Sequence, residues 1–180
     1  MAFTVVFIHG PAAAGKHTIG TLVSEGLGIP LFHNHLTVDL VKTLFDFGTP
    51  GFVQLRADIW RLAFREAAAA QRSFVFTFHP EATVAPSLIG ELAALITEAG
   101  GQLHYVALRC SDAAIEQRIS EASRQQFGKL TDAAVYRQLK AQGSFEFPAF
   151  PEPLVVIDTE AMRPEAAAAQ IVRAIEKAEV

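Results

Sequence analysis

Residues 10–18 read Gly10-Pro11-Ala12-Ala13-Ala14-Gly15-Lys16-His17-Thr18 and come almost directly after the apolar run Phe3 to Ile8. Two glycines and a lysine at this spacing are the G-x-x-x-x-G-K pattern of a phosphate-binding loop. A chain that turns from strand to helix around an anion must aim successive backbone N–H groups inward, and glycine permits the dihedrals and the close approach this needs. The helix starting near Lys16 adds the positive end of its dipole, and the ammonium adds a full charge for the β- and γ-phosphates of a nucleotide. Gly10, Ala13, Ala14, Gly15, Lys16, His17 and Thr18 are therefore the expected phosphate site. The pattern departs at one place: His17 stands where a Ser or Thr hydroxyl would coordinate magnesium, and neutral imidazole is a poor ligand for a hard cation. Thr18 still offers a hydroxyl and a backbone N–H to the α-phosphate.

Outward from this loop, short apolar runs alternate with helical patterns, as in a parallel sheet covered by helices. The runs are Phe3 to Ile8, Pro30 to Phe32, Phe74 to Phe78, Leu103 to Leu108 and Leu154 to Ile157. Between them, Ile19, Leu22, Val23 and Leu27 predict one amphipathic helix, and Leu36, Leu40, Val41 and Leu44 a second. A longer helix runs from Phe52 through Ala70, and another ends at Gly100 and Gly101. Ser111 and Asp132 are expected N-caps, Gly143 closes the helix that Asp132 opens, and Pro164 begins the last one. The three prolines between Phe147 and Pro153 mark an ordered surface loop, so the reading is one domain over residues 1–180.

Composition narrows the classes of function. The chain of 180 residues is 51% apolar, enough for a full core, and has 15 basic against 19 acidic residues. A net charge of −4 offers no general attraction to nucleic acid or to anionic lipid, so neither is an expected partner. Cys110 is the single cysteine, which excludes an internal disulfide and is compatible with a reducing cytoplasm. No run approaches the roughly 18 apolar residues of a membrane span, and the first residues lack the basic flank of a signal peptide. The expectation is a soluble cytoplasmic protein.

The six histidines are unevenly placed. In an open α/β sheet, ligands bind at the carboxyl ends of the strands. His9, His33, His35 and His79 all stand at such ends, His17 opens the first helix, and only His104 belongs to the opposite edge. Imidazole N–H groups there suit phosphate or an anionic substrate; a transition-metal site built from two or three of them is the alternative, although no paired spacing such as H-x-x-x-H supports it. The metal expectation is none. Arg56, toward the start of the long helix, is the expected contact for an anionic acceptor. Asp39 is a rival base to His35, against the plain reading of a solvated helix acid.

The loop, the strand–helix alternation and the second-strand residues Phe32-His33-Asn34-His35 together resemble the P-loop small-molecule kinases, in particular shikimate kinase, gluconate kinase and chloramphenicol phosphotransferase. The resemblance implies a three-layer α/β sandwich with a five-stranded parallel sheet of order 2-3-1-4-5, helices on both faces, and a small helical lid over residues 118–131, approximately. It implies ATP as the nucleotide and Mg2+ held mostly by that nucleotide. Shikimate kinase carries acids in the second strand's pattern, and here both are histidines. His35 then takes the place of the residue that orients or deprotonates the acceptor hydroxyl, with His33 nearer the phosphates and His79 beside the substrate. Arg118 and Arg124 match the lid arginines that close over the transferring group. Asp158 and Thr159 match the loop bordering adenine. The expected activity is transfer of the γ-phosphate of ATP to a hydroxyl of a small molecule; the alternative is a nucleotide-binding regulatory or degenerate module without transferase activity.

Overall fold

The computed structural model describes residues 2–119, 132–148 and 150–179. Its elements alternate: β1 (Thr4–His9), α1 (Lys16–Leu27), β2 (Leu31–His33), α2 (Asn34–Lys42), α3 (Pro50–Ala69), β3 (Phe74–Phe78), α4 (Pro86–Glu98), β4 (Gln102–Arg109), α5 (Asp112–Ile119), α6 (Ala133–Ala141), β5 (Val155–Asp158) and α7 (Pro164–Ala178). The five strands form one sheet in the order β2-β3-β1-β4-β5, every pairing parallel, as the family resemblance implies.

Because successive strand residues point to opposite faces, the sheet separates two chemistries. Phe7, Phe74, Phe76 and Phe78 join Trp60 and Phe64 of α3 and Leu92 of α4 in an aromatic layer. Val6, Ile8, Val75, Val106 and Leu108 face Ile19 and Val23 of α1 and Ile171 and Ile175 of α7 in an aliphatic one. The expected helix signals act as read. Ser111 Oγ accepts from Ala114 N at 3.3 Å, and Asp132 Oδ1 accepts from Ala134 N at 2.7 Å and Val135 N at 3.3 Å. Gly100 and Gly143 take positive φ just past α4 and α6.

The second amphipathic helix departs from its expected packing. On α2 only Thr37 and Val41 are buried, while Leu36, Leu40 and Leu44 are 61%, 59% and 72% exposed. Of the expected stripe Leu36, Leu40, Val41 and Leu44, Val41 alone packs inward, on the side where α2 meets α3, and the three leucines face outward. Among the described residues no helix is long and apolar enough to cross a membrane.

Candidate active site

Parallel strands end together, and here β1, β2 and β3 deliver His9, His33 and Thr77 to one edge: His33 pairs with Thr77, and Thr77 with Ile8, one residue before His9. A cavity of about 1170 Å³ lies along that edge. Its floor is the turn from β1 to α1: Ala13, Ala14, Gly15, Lys16, His17 and Thr18 all line it.

That turn is shaped by three positions. A Cβ on Gly10 would stand 2.6 Å from the carbonyl oxygen of Leu108 in β4, so only glycine lets the loop lie this close to the neighbouring strand. Gly15 is the N-cap of α1, left-handed at φ 83°. Ala13 is also left-handed at φ 57°, although it carries a side chain, at a cost of about 1–2 kcal/mol. Left-handed residues alternating with ordinary ones turn consecutive N–H groups into one concave nest, which suits an anion. Lys16 Nζ donates to Gly10 O at 2.8 Å and Pro11 O at 2.5 Å, which holds its charge over the same loop.

The histidines gather around this floor. The rings of His17 and His33 are 4.4 Å apart and those of His33 and His35 5.0 Å. His33 is buried, and its Nδ1 meets Thr77 Oγ1 at 2.8 Å; Asn34 N donates to the same hydroxyl at 3.3 Å. His79 Nδ1 meets Gly10 O at 3.3 Å, and its ring lies 5.2 Å from that of Phe145. His17, His33, His35 and His79 all line the cavity. His9 does not: it stacks on Phe150 at 4.0 Å, and burial, then the charge of Lys16, push its pKa down to about 4. Among the described residues no three His, Cys, Asp or Glu side chains are grouped to hold a metal ion. Asp39 does not line the cavity.

Arg118 and Thr159 form the opposite wall. Arg118 Nη1 donates to Thr159 Oγ1 at 3.0 Å and Nη2 to Thr159 O at 2.6 Å, which ties the base of α5 to the turn after β5. Asp158 stands apart from the cavity: its Oδ1 accepts from Glu160 N at 2.9 Å and Ala161 N at 3.4 Å, closing a turn at the end of the strand. Arg124 and the lid residues 120–131 lie outside the described residues.

Arg56 is placed differently from the sequence expectation. It is 1% exposed and does not line the cavity. Its guanidinium pairs with Glu81, donates from Nη2 to Thr83 O at 2.9 Å, and lies 5.0 Å and 5.1 Å from the ring centres of Phe52 and Trp60. The residue of this pair that reaches the cavity is Glu81, along with Thr83. Sequence reasoning missed Glu81 as a site residue. Its one available signal was its place three residues beyond β3, at the ligand-binding edge of the sheet.

No family model matches the chain, and no curated protein matches it in sequence. Solved structures do. An unliganded sugar kinase from Janibacter sp. HTCC2649 superposes with a TM-score of 0.67 at 16% identity, covering 97% of this chain and 95% of its own. The APS kinase of Mycobacterium tuberculosis in complex with AMPPNP and APS superposes with a TM-score of 0.64 at 14% identity over 97% and 98% of the two chains. A gluconokinase from Sinorhizobium meliloti 1021 gives 0.59 at 16% identity over 99% and 98%. The chain has the fold of the P-loop small-molecule kinases.

Magnesium typically accompanies nucleotide in this P-loop kinase-like fold, and the donor set can be tested for it. The position after Lys16 is the imidazole of His17, and the hydroxyl nearest the end of β3, Thr77, is engaged by His33 and Asn34. Imidazole and a hydroxyl already engaged are poor magnesium ligands, which leaves Thr18, Glu81, Thr83 and Asp132 among the hard oxygen donors along the cavity. The nest and Lys16, by contrast, fit the phosphates of a nucleotide.

Proposed function

We propose that this protein binds ATP through residues 10–18 and transfers its γ-phosphate to a hydroxyl of a small molecule. The observation that carries the reading is the nest of Ala13 to Thr18, capped by Lys16, on the floor of a cavity large enough for a nucleotide and a second molecule. Ala13, Ala14, Gly15, His17 and Thr18 cradle the phosphates with backbone N–H groups, Gly10 permits the loop's approach to β4, and Lys16 neutralises charge. Arg118 holds Thr159 at the nucleotide wall, with Asp158 setting the turn that presents it. His33, His35 and His79 face the transferring group and its acceptor, and any Mg2+ travels with the nucleotide and water.

The test is Lys16→Ala. A ligand at about 100 times its Kd stabilises a protein by about 2.7 kcal/mol, roughly 5–10 °C in Tm for a chain of this size. A non-hydrolysable ATP analogue should give the parent such a shift and the variant none; equal shifts refute the reading. The replacement of hydroxyl and acids by His17, His33 and His35 favours a second reading, a nucleotide-binding module without transferase activity. ATP consumption that no hydroxylated acceptor accelerates would select it.

A further inference from the structure

The expected anchor for an anionic acceptor, Arg56, is spent inside the protein, and what it holds in place is a carboxylate. Thr83 Oγ1 accepts from Arg56 Nη1 at 3.2 Å and donates to Glu81 Oε1 at 3.0 Å, and Arg56 Nη1 donates to that same oxygen. Both donors converge on Oε1. Oε2 takes no hydrogen bond among the described residues and is not fully buried, and Glu81 lines the cavity. The side chain is only 13% exposed, so this is a held group and not a solvated surface acid.

The backbone around it is tied as firmly. Val84 N donates to Glu81 O at 3.1 Å, Ala82 N donates to Ser144 O at 2.9 Å, and the turn starts at His79 against Gly10 of the phosphate loop. A carboxylate oxygen fixed in this way beside a phosphate nest is a hydrogen-bond acceptor for O–H or N–H groups and a repellent for anions. Val38 and Phe47 line the cavity with apolar surface, and the one lysine outside the phosphate loop that lines it among the described residues, Lys42, is exposed.

We infer that Glu81 is the acceptor-binding carboxylate of this cavity, and that the acceptor is a neutral or cationic hydroxyl compound, a polyol or amino alcohol, and not a carboxylated or phosphorylated one. The inference rests on the kinase reading for the word acceptor, but the binding it claims is separable from turnover.

Saturation-transfer NMR tests it, with and without an ATP analogue, on neutral polyols and amino alcohols set against their carboxylated and phosphorylated counterparts. The expected result is binding of uncharged or cationic compounds by the parent, weakened at least tenfold in Glu81→Gln, with analogue affinity unchanged at a temperature well below the Tm of both proteins. Glu81→Gln keeps an oxygen for Arg56 and Thr83 but leaves the buried Arg56 charge unpaired, so its Tm should fall; a second variant, Glu81→Asp, keeps the charge, withdraws the carboxylate by one methylene and should also weaken binding. Preference for the anionic compounds, equal binding by parent and Glu81→Gln, or no binding of any neutral or cationic compound overturns the inference. Failure of the parent to bind the analogue counts against the nucleotide reading alone, because the compounds are also tested without it.

Discussion

Replacing Arg56 by Met should expose the cost of an unpaired buried charge, and should do so in a pH-dependent way. Met retains an apolar stem between Phe52 and Trp60 but leaves Glu81 without its cation and Thr83 O without a donor. Breaking a buried pair from one side costs about 3–5 kcal/mol, roughly 6–20 °C in Tm at this chain length. Burial already holds the Glu81 carboxyl above its ordinary range, against the opposing pull of Arg56, so removing Arg56 raises it further. A carboxyl whose folded pKa exceeds its unfolded value favours the folded state while protonated and loses that advantage as pH rises. The variant should therefore approach the parent in acid and fall behind by about 1.4 kcal/mol per pH unit up to its new folded value. Urea unfolding of both proteins at about pH 5 and about pH 8 measures this, and histidine titrations common to both cancel in the difference. Arg56→Met with Glu81→Gln should recover most of the loss, because no buried charge then remains. Equal gaps at the two pH values, or a double variant no better than the single, would refute the reasoning.

Further outcomes concern the loop and its surroundings. Gly10→Ala forces a Cβ to within 2.6 Å of a backbone oxygen and should cost about 1–3 kcal/mol, whereas Gly15→Ala meets nothing nearer than 3.6 Å and carries only its left-handed strain, net about 1 kcal/mol; the reverse order of Tm losses would contradict this. His9 is kept neutral with a folded pKa of about 4, so the unfolded chain binds the extra proton as pH falls from 6.5 and the parent loses stability across that window. His9→Phe, which preserves the stacking on Phe150, should flatten the acid side of the Tm–pH curve, and parallel curves would count against it. Ala13→Gly should leave the loop able to bind the ATP analogue and raise Tm slightly, since the left-handed strain relieved exceeds the roughly 0.4–1 kcal/mol of added chain entropy; a fall in Tm would show the methyl to be needed for packing.

The strand order and the tight turn from β1 to α1 were legible because each has a local cause. Buried parallel strands need continuous Val, Ile and Phe, and a nest needs glycine at set positions. Arg56 was misplaced for the opposite reason: its burial depends on Glu81, 25 residues away in sequence, and no local pattern announces that a charge will be neutralised from a distance. Asp158 looks the same in sequence whether it contacts a ligand or closes a turn. The Leu36, Leu40 and Leu44 stripe misled because periodicity identifies a face without saying which neighbour covers it. Glu81 became visible only when β3 and α3 were brought together.

That outward-facing stripe also divides the cavity mechanically. Regions that bury little apolar surface open locally at small free-energy cost, and on α2 only Thr37 and Val41 are buried while Leu36, Leu40, Leu44, Phe45 and Phe47, on it and just beyond, are 40–72% exposed. The phosphate loop is seated on β1, where Thr4 to Ile8 are all buried. His35 therefore rides on the segment whose amides should exchange with solvent soonest, and Lys16 borders the one whose amides should exchange last. The floor of the cavity is therefore its fixed side, and the side formed by α2 is the one that opens first.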